Sequence, residues 1–364
     1  MKLKEVVSFL ESVAPLAYQE DYDNAGLIIG NPEKELSGVL ITVDVLEEVV
    51  DEAIEKKANL ILSHHPIMMS GVKKFTGKNF TERIILKAIK NDIAIYAAHT
   101  NLDSIWGGVS SRIADKLELK NQKILAPVSN QLMKLVYFVP TDHAGETRNA
   151  VFDAGAGQIG NYDMCSYNTN GEGSFRAGED ATPFVGNKGE IHFEREIRVE
   201  TIFPKHLKNK IISALIKSHP YEEVAYDIYP LENTFDRVGY GVIGDLETEM
   251  DELRFLKSLK EIFSAQCVRY TKTLNKPIKR VAVCGGSGSF LLSNAMKEKA
   301  DVFVSGDFKY HQFFDAEGQI IIADIGHFES EQITKELFYE LLIKKFPKFA
   351  VRLTEVNSNP INYL

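Results

Sequence analysis

The chain has 364 residues, 44% of them apolar and 26% charged, which suits two or three globular domains at about 100–200 residues each. A formal net charge of −9 argues against a nucleic-acid binder that relies on a basic surface, so nucleic acid is not an expected partner. Three scattered cysteines (Cys165, Cys267 and Cys284) without a C-x-x-C exclude a disulfide framework and a thiolate zinc site. The N-terminus lacks the apolar core of a signal peptide, and no apolar run approaches a membrane span. A cytoplasmic location with no membrane partner is the expectation.

In chain order, the spacing predicts a helix over 2–14, with acids among its lysines. Y-D-N-A-G-L-I-I-G (22–30) then places the turn formers Asp23, Asn24 and Gly26 ahead of a short strand. G-V-L-I-T-V (38–43) reads as a buried strand, and 46–57 repeats apolar residues at helical spacing. Asp44 stands where an N-cap would, which favours capping over catalysis. The apolar run 60–62 stops at Ser63, and two adjacent histidines, His64 and His65, follow with Pro66 behind them. Strand neighbours point to opposite faces, so these imidazoles converge on one spot only if the strand has ended. Such an end of a parallel strand is where open α/β sheets keep ligands. The pair could each take a different metal ion, or be two ordinary loop histidines. A Gly- and Lys-rich loop (71–79), a helix (80–91) and a strand (93–98) running into H-T-N-L-D (99–103) follow. The alternation predicts a parallel, doubly wound sheet.

Composition changes after Pro127. The pattern predicts a strand at 134–140, a helix at 143–154, a long hairpin in the Gly-, Asn- and Ser-rich stretch 155–189, and a strand at 191–203. A helix over 204–218, opened by proline in its first turn, and a strand at 224–229 complete it. The order β-α-β-β-α-β is that of a ferredoxin-like module able to fold alone. The α/β pattern resumes after Phe235, so 128–233 is an insert between two halves, 1–127 and 234–364, of one α/β domain.

An internal echo supports that division. A-N-L-I-L-S-H-H (58–65) and A-D-V-F-V-S-G-D (300–307) each follow a strand (38–43; 280–284) and a helix (46–57; 289–299). Strand 93–98 has its counterpart in 319–325, which ends at G-H-F-E-S-E. Duplicated strand–helix units with facing strand ends place His64, His65, Asp103, Asp307 and His327 around one cleft. A helix starts at His327, so His327 and Glu331 share a face four residues apart. Such a pair can bind one ion, or bridge two if the carboxylate uses both oxygens. Glu329 points elsewhere and reads as a partner of the helix dipole. Three histidines, an aspartate and a glutamate suit zinc, iron(II) or manganese better than copper(I) or calcium. The glycine turn C-G-G-S-G-S-F (284–290) departs from phosphate-binding signatures and reads as tight packing beside the cleft, with phosphate contact a minority reading. Cys284 reads as a small core residue.

L-S-H-H-P, A-A-H-T-N-L-D, V-S-G-D-F-K-Y-H and D-I-G-H-F-E-S-E, with the early D-N-A-G-L, resemble the Nif-three-like family, whose members are commonly named GTP cyclohydrolase 1 type 2 homologues. The motifs fall in the family's order across both outer segments. The resemblance implies a dinuclear centre of two divalent ions (zinc, iron or manganese) per subunit, inside a ring-shaped homohexamer built from dimers. Carried over by position, His64 and Asp103 hold one ion, His65 and His327 the other, and Glu331 bridges them. The insert resembles the PII/CutA-like domain of longer members, above all in K-N-K-I-I-S-A-L-I-K-S-H-P-Y-E-E-V-A-Y-D-I. Two ions about 3.5–4 Å apart would lower the pKa of a shared water and clamp substrate oxygens. That implies hydrolysis of a nucleotide or similar small molecule, GTP cyclohydrolase action being addition of water at the imidazole ring carbon. His99, Asp307 or His311 could shuttle the proton. Each could instead orient a metal ligand from outside, the preferred reading for Asp307. The alternative is a non-catalytic metal-binding or regulatory scaffold whose insert senses a ligand.

Overall fold

Leu60, Ile61 and Leu62 are all inaccessible to solvent, yet they serve different cores. Leu60 and Leu62 pack on one side of their sheet, Ile61 on the other, as expected of a parallel strand covered on both faces. The computed structural model describes residues 1–364. It divides into two units, Met1–Pro127 with Arg237–Leu364, and Val128–Asp236.

In the first unit a five-stranded sheet runs in the order Gly26–Ile29, Ala94–Ala97, Leu60–Ser63, Val39–Thr42, Val351–Leu353. Its members are parallel except Gly26–Ile29 at the edge. Leu40, Ile61 and Ile95 are covered by the helices Glu47–Glu55 and Phe80–Lys90. A second sheet has six strands, with Ile278–Ser287, Val302–Gly306 and Ile321–Asp324 adjacent and parallel. The echo in the sequence is therefore an echo in space, since each sheet holds three consecutive parallel strands side by side. One face of each sheet contributes to a common core, filled by the helices Leu3–Val13, Val109–Lys116, Glu252–Ile262 and Thr334–Lys345.

Helix starts are set locally. Asn79 caps Phe80–Lys90 by accepting from the Glu82 amide at 2.9 Å, while the Glu82 carboxylate takes the Thr76 amide and hydroxyl at 2.7 and 2.8 Å. The expected cap at Asp44 does not form. Glu47–Glu55 follows Leu46 without a side-chain cap, because Asp44 is engaged elsewhere.

The second unit has the sheet order Tyr167–Arg176, Ile191–Pro204, Leu132–Pro140, Tyr226–Leu231, every neighbour antiparallel. With the helices Ala144–Asp153 and Lys208–Ser218, this is the ferredoxin-like arrangement. Two local expectations are corrected. The stretch 155–189 contains one strand, Tyr167–Arg176, whose hairpin partner is the following strand rather than part of the stretch itself. Pro204, extended at ψ 135°, ends Ile191–Pro204, and the helix begins only at Lys208 after a turn of 3₁₀-helix. Leu135, Tyr137, Val139, Val199 and Phe203 pack on Val151, Ile211 and Leu215 in a core made wholly of this unit's residues. No helix of the chain is long and apolar enough to cross a membrane.

A self-contained core makes residues 128–236 able to stand alone. Expressed by itself, this segment should melt in one cooperative transition with a near-UV signal from its buried tyrosine. A gradual melt with dye-binding apolar surface would contradict it.

Candidate metal centre

Four of the parallel strands end in polar side chains that meet in the first unit. Beyond Leu60–Ser63 come His64, fully buried, and His65, partly exposed. Beyond Ala94–Ala97 comes the single helical turn Thr100–Asp103. Val302–Gly306 leads to Asp307, and Ile321–Asp324 leads through Gly326 into the short helix His327–Glu331. Two of these ends belong to one sheet and two to the other, so the pocket forms between the duplicated halves of the unit.

Glu331 is 3% exposed and stands at the centre. Its Oε2 lies 2.9 Å from Nε2 of His65 and 2.9 Å from Nε2 of His327, and those two nitrogens are 3.3 Å apart. Its Oε1 lies 3.6 Å from Nε2 of His64, which in turn is 3.7 Å from Oδ1 of Asp103. One oxygen of the carboxylate thus faces two imidazole nitrogens and the other faces a third. His64 Nε2, Asp103 Oδ1 and Glu331 Oε2 are buried and lack a hydrogen-bond partner, a costly state for polar atoms. His64, His65 and Glu331 bring ligand atoms within 4.8 Å of one another, a grouping that could hold a metal ion.

The imidazoles are oriented from behind. His64 Nδ1 donates to the Ala98 carbonyl at 2.9 Å, His65 Nδ1 to Asp44 Oδ1 at 2.7 Å, and His327 Nδ1 to Asp307 Oδ2 at 2.7 Å. Each partner is an acceptor only, which keeps a proton on Nδ1 and turns Nε2 toward Glu331, where it is an N–H while the ring is charged and a free ligand atom once the ring is neutral. Asp44 is itself held by the Ser358 hydroxyl at 2.7 Å.

Charge follows the same plan. Burial would lower His65 and His327, but the carboxylates beside them, Asp44 and Glu331 for His65 and Glu331 and Asp307 for His327, outweigh it and raise them to about 10 and about 9. Burial would raise Glu331, and the surrounding histidines hold it well below the usual carboxylate range. Asp103 is pushed up to about 7, by burial first and by Glu331, against the pull of His64. The pocket therefore balances a deep anion with cations and strains where the two carboxylates meet.

Glycines make the close approach possible. A Cβ on Gly286, whose φ is +58°, would sit 2.1 Å from Glu331 Oε1. One on Gly326, at φ +96°, would sit 2.2 Å from Glu329 Oε2. The glycine run 284–290 is therefore a packing device. Its Gly286 amide donates to Ser330 Oγ at 2.8 Å, and burial pushes the Cys284 thiol up, away from nucleophilic use.

His99 borders the pocket, its ring 5.4 Å from those of His64 and His65. Its Nδ1 donates to Asp23 Oδ1 at 2.8 Å, and Asp23 also receives the Thr100 amide at 3.0 Å and the Thr100 hydroxyl. Burial would raise Asp23, but these partners bring it down to about 2. Asp307 Oδ2 accepts from His327 Nδ1 and lies outside the set of atoms around Glu331. His311 is exposed and packs on Tyr310 and Phe314 instead of on the pocket residues. Glu329 faces away and accepts from Asn359 Nδ2 at 3.0 Å. Asp44 and Asp23 were readable only as a cap and a turn former. The hint for Asp44 was its place at a strand end beside the one that carries His65.

Residues 1–360 match the family described as Duf34/NIF3 (NGG1p interacting factor 3). A Bacillus subtilis (strain 168) protein called GTP cyclohydrolase 1 type 2 homolog is 40% identical over 367 residues, spanning 99% of this chain and 98% of its own length. A crystal structure of a Bacillus cereus protein related to NIF3 superposes with a TM-score of 0.88 at 38% identity, covering 100% of this chain and 99% of that one. That of Staphylococcus aureus protein SA1388 gives 0.79 at 30% identity, with 100% and 99% covered.

Two substitutions test the geometry. Gly286→Ala should cost at least about 1 kcal/mol, from its left-handed backbone and the clash with Glu331; unchanged stability in urea would contradict the close approach. Asp23 is held at about 2 against the ordinary 3.8 of an aspartate, so its stabilising charge is fully present above 3.8 and lost as pH falls through the lower value. Asp23→Asn should remove about 2 kcal/mol at neutral pH and flatten the acid limb of the stability curve. An acid limb identical to that of the parent would contradict this.

Proposed function

The chain belongs to the Duf34/NIF3 family, and from that premise we propose that it is a metal-dependent hydrolase acting on a nucleotide or similar small molecule. In this reading His64 and Asp103 would hold one divalent ion, His65 and His327 a second, with Glu331 shared between them. The support is one observation, a buried carboxylate with one oxygen 2.9 Å from Nε2 of both His65 and His327 and the other 3.6 Å from Nε2 of His64, while His64 Nε2, Asp103 Oδ1 and Glu331 Oε2 itself have no hydrogen-bond partner. Hydrogen bonds to Nδ1 leave each histidine in the tautomer that a ligand through Nε2 requires. The nitrogen and carboxylate donors, without sulfur, suit zinc, iron(II) or manganese.

Bound there, the ions would supply Lewis acidity, making a water acidic and polarising a substrate oxygen. The chain's own part is to hold and move protons around that point. With Nδ1 committed to Asp23, His99 has Nε2 as its basic nitrogen, beside the rings of His64 and His65. It is placed to take a proton from an attacking water and return it to a leaving group. Asp23, tied to Thr100, holds the His99 ring in that orientation and tautomer. The GTP cyclohydrolase name of the relatives makes GTP the first substrate to test.

Purified protein should carry bound divalent metal, and Glu331→Gln should weaken its retention by roughly 10–100-fold while the far-UV spectrum is unchanged. Turnover of GTP or a phosphoester panel should vanish with it, and His99→Ala should lose turnover while keeping metal. Retention of full metal by Glu331→Gln would contradict the bridge. Metal binding without any turnover would contradict the hydrolase and favour the regulatory alternative.

A further inference from the structure

A cavity of about 920 Å³ lies entirely within the second unit. It shares no residue with the metal pocket. Its size falls in the range of small-molecule sites.

One wall is aromatic. Phe175 and Phe184 meet Tyr221 with ring centroids 5.9 and 6.3 Å apart. Tyr221 is braced by the His219 ring at 5.1 Å, and its amide donates to His219 Nδ1 at 3.0 Å. His219 Nε2 donates in turn to the Phe138 carbonyl at 2.8 Å. The loop bearing Phe184 is tied down by the Thr182 amide donating to Glu222 at 2.7 Å. The wall is thus preformed, and it leaves Phe184 half exposed at 53%.

The floor is bare. Strand Tyr167–Arg176 carries Gly171 and Gly173 on the face it shares with Phe175. Glycine weakens a strand and marks the close approach of another group. At Gly173 that group is Glu196, whose Oε2 would lie 2.3 Å from an added Cβ. At Gly171 an added Cβ meets nothing within 4 Å, so the space above it is open.

The polar groups fit one kind of occupant. Carboxylates outnumber guanidiniums, with Glu172, Asp180, Glu196, Glu222 and Glu223 on the lining. Of its two arginines, Arg176 and Arg198, the latter is paired with Glu200 at 3.0 Å. The Tyr221 hydroxyl is buried and makes no hydrogen bond of good geometry, although the charge of Glu196 reaches it. An acceptor-rich, net acidic cleft disfavours a polyanion. It favours a ring that stacks on aromatic side chains and offers N–H donors to carboxylates.

We propose that this cleft binds a small, flat nitrogen heterocycle bearing N–H donors and no phosphate, of the nucleobase or nucleoside class. The ring lies over Gly171 against Phe184 and Tyr221, with its donors directed to Glu196. The site is independent of the hydrolase reading, because no pocket residue of the first unit takes part.

Titration calorimetry on the full-length protein tests this with guanosine and adenosine, each against its 5′-monophosphate. At least one nucleoside should bind, and its monophosphate should bind at least about tenfold more weakly. Phe184→Ala removes the stacking face, and Gly171→Leu fills the open floor at a position with room for a side chain. Both should weaken binding at least about tenfold without moving the melting temperature, whereas His327→Ala should bind as the parent does. No binding of either nucleoside at about 1 mM would overturn the proposal. So would equal or tighter binding of the monophosphate, unchanged affinity in both cleft variants, or loss of binding in His327→Ala.

Discussion

Glu331 is a carboxylate placed where a carboxylate is expensive. Removing such a group from water costs several kcal/mol unless partners compensate. At 3% exposure the compensation must come from the protein, and three imidazoles supply it, two at 2.9 Å and one at 3.6 Å. The surrounding construction serves this placement. Gly286 and Gly326 give up their side chains where a Cβ would collide with Glu331 or Glu329. The short helix His327–Glu331 sets histidine and glutamate on one face.

The duplicated sheets explain how such distant residues meet. Parallel strands deliver their C-terminal ends to one edge, and two such sheets sharing a core bring two edges together. One edge gives the histidine pair and Asp103, the other His327 and Glu331. Both edges also give the acceptors that fix the ring tautomers, Ala98 and Asp44 from one, Asp307 from the other. A half taken alone would have neither the full donor set nor its orientation. The second unit carries its own core and its own cleft.

Much of this was legible in the sequence, for identifiable reasons. Apolar runs stopping at His64-His65 and at Asp307 marked strand ends, and the repeat of strand, helix and strand marked the duplication. The four-residue spacing of His327 and Glu331 needed only helical geometry. What escaped was decided by distant contacts. An aspartate between a strand and a helix carries the same local signal whether it caps or reaches across the sheet, and only the approach of His65 assigns Asp44. Asp23 looked like a turn former because its partners, His99 and Thr100, lie more than seventy residues away. His311 sits near a site motif, but its 3₁₀ turn directs the ring to Tyr310 and Phe314. The strand Tyr167–Arg176 was hidden by glycines that local propensity assigns to loops.

The proposed centre would place a cation on either side of a single carboxylate. Anomalous diffraction from crystals grown with manganese tests that most directly. The expected result is two peaks, one contacted by His64 and Asp103, the other by His65 and His327, with an oxygen of Glu331 on each. A single peak, or metal seated away from Glu331, would contradict it.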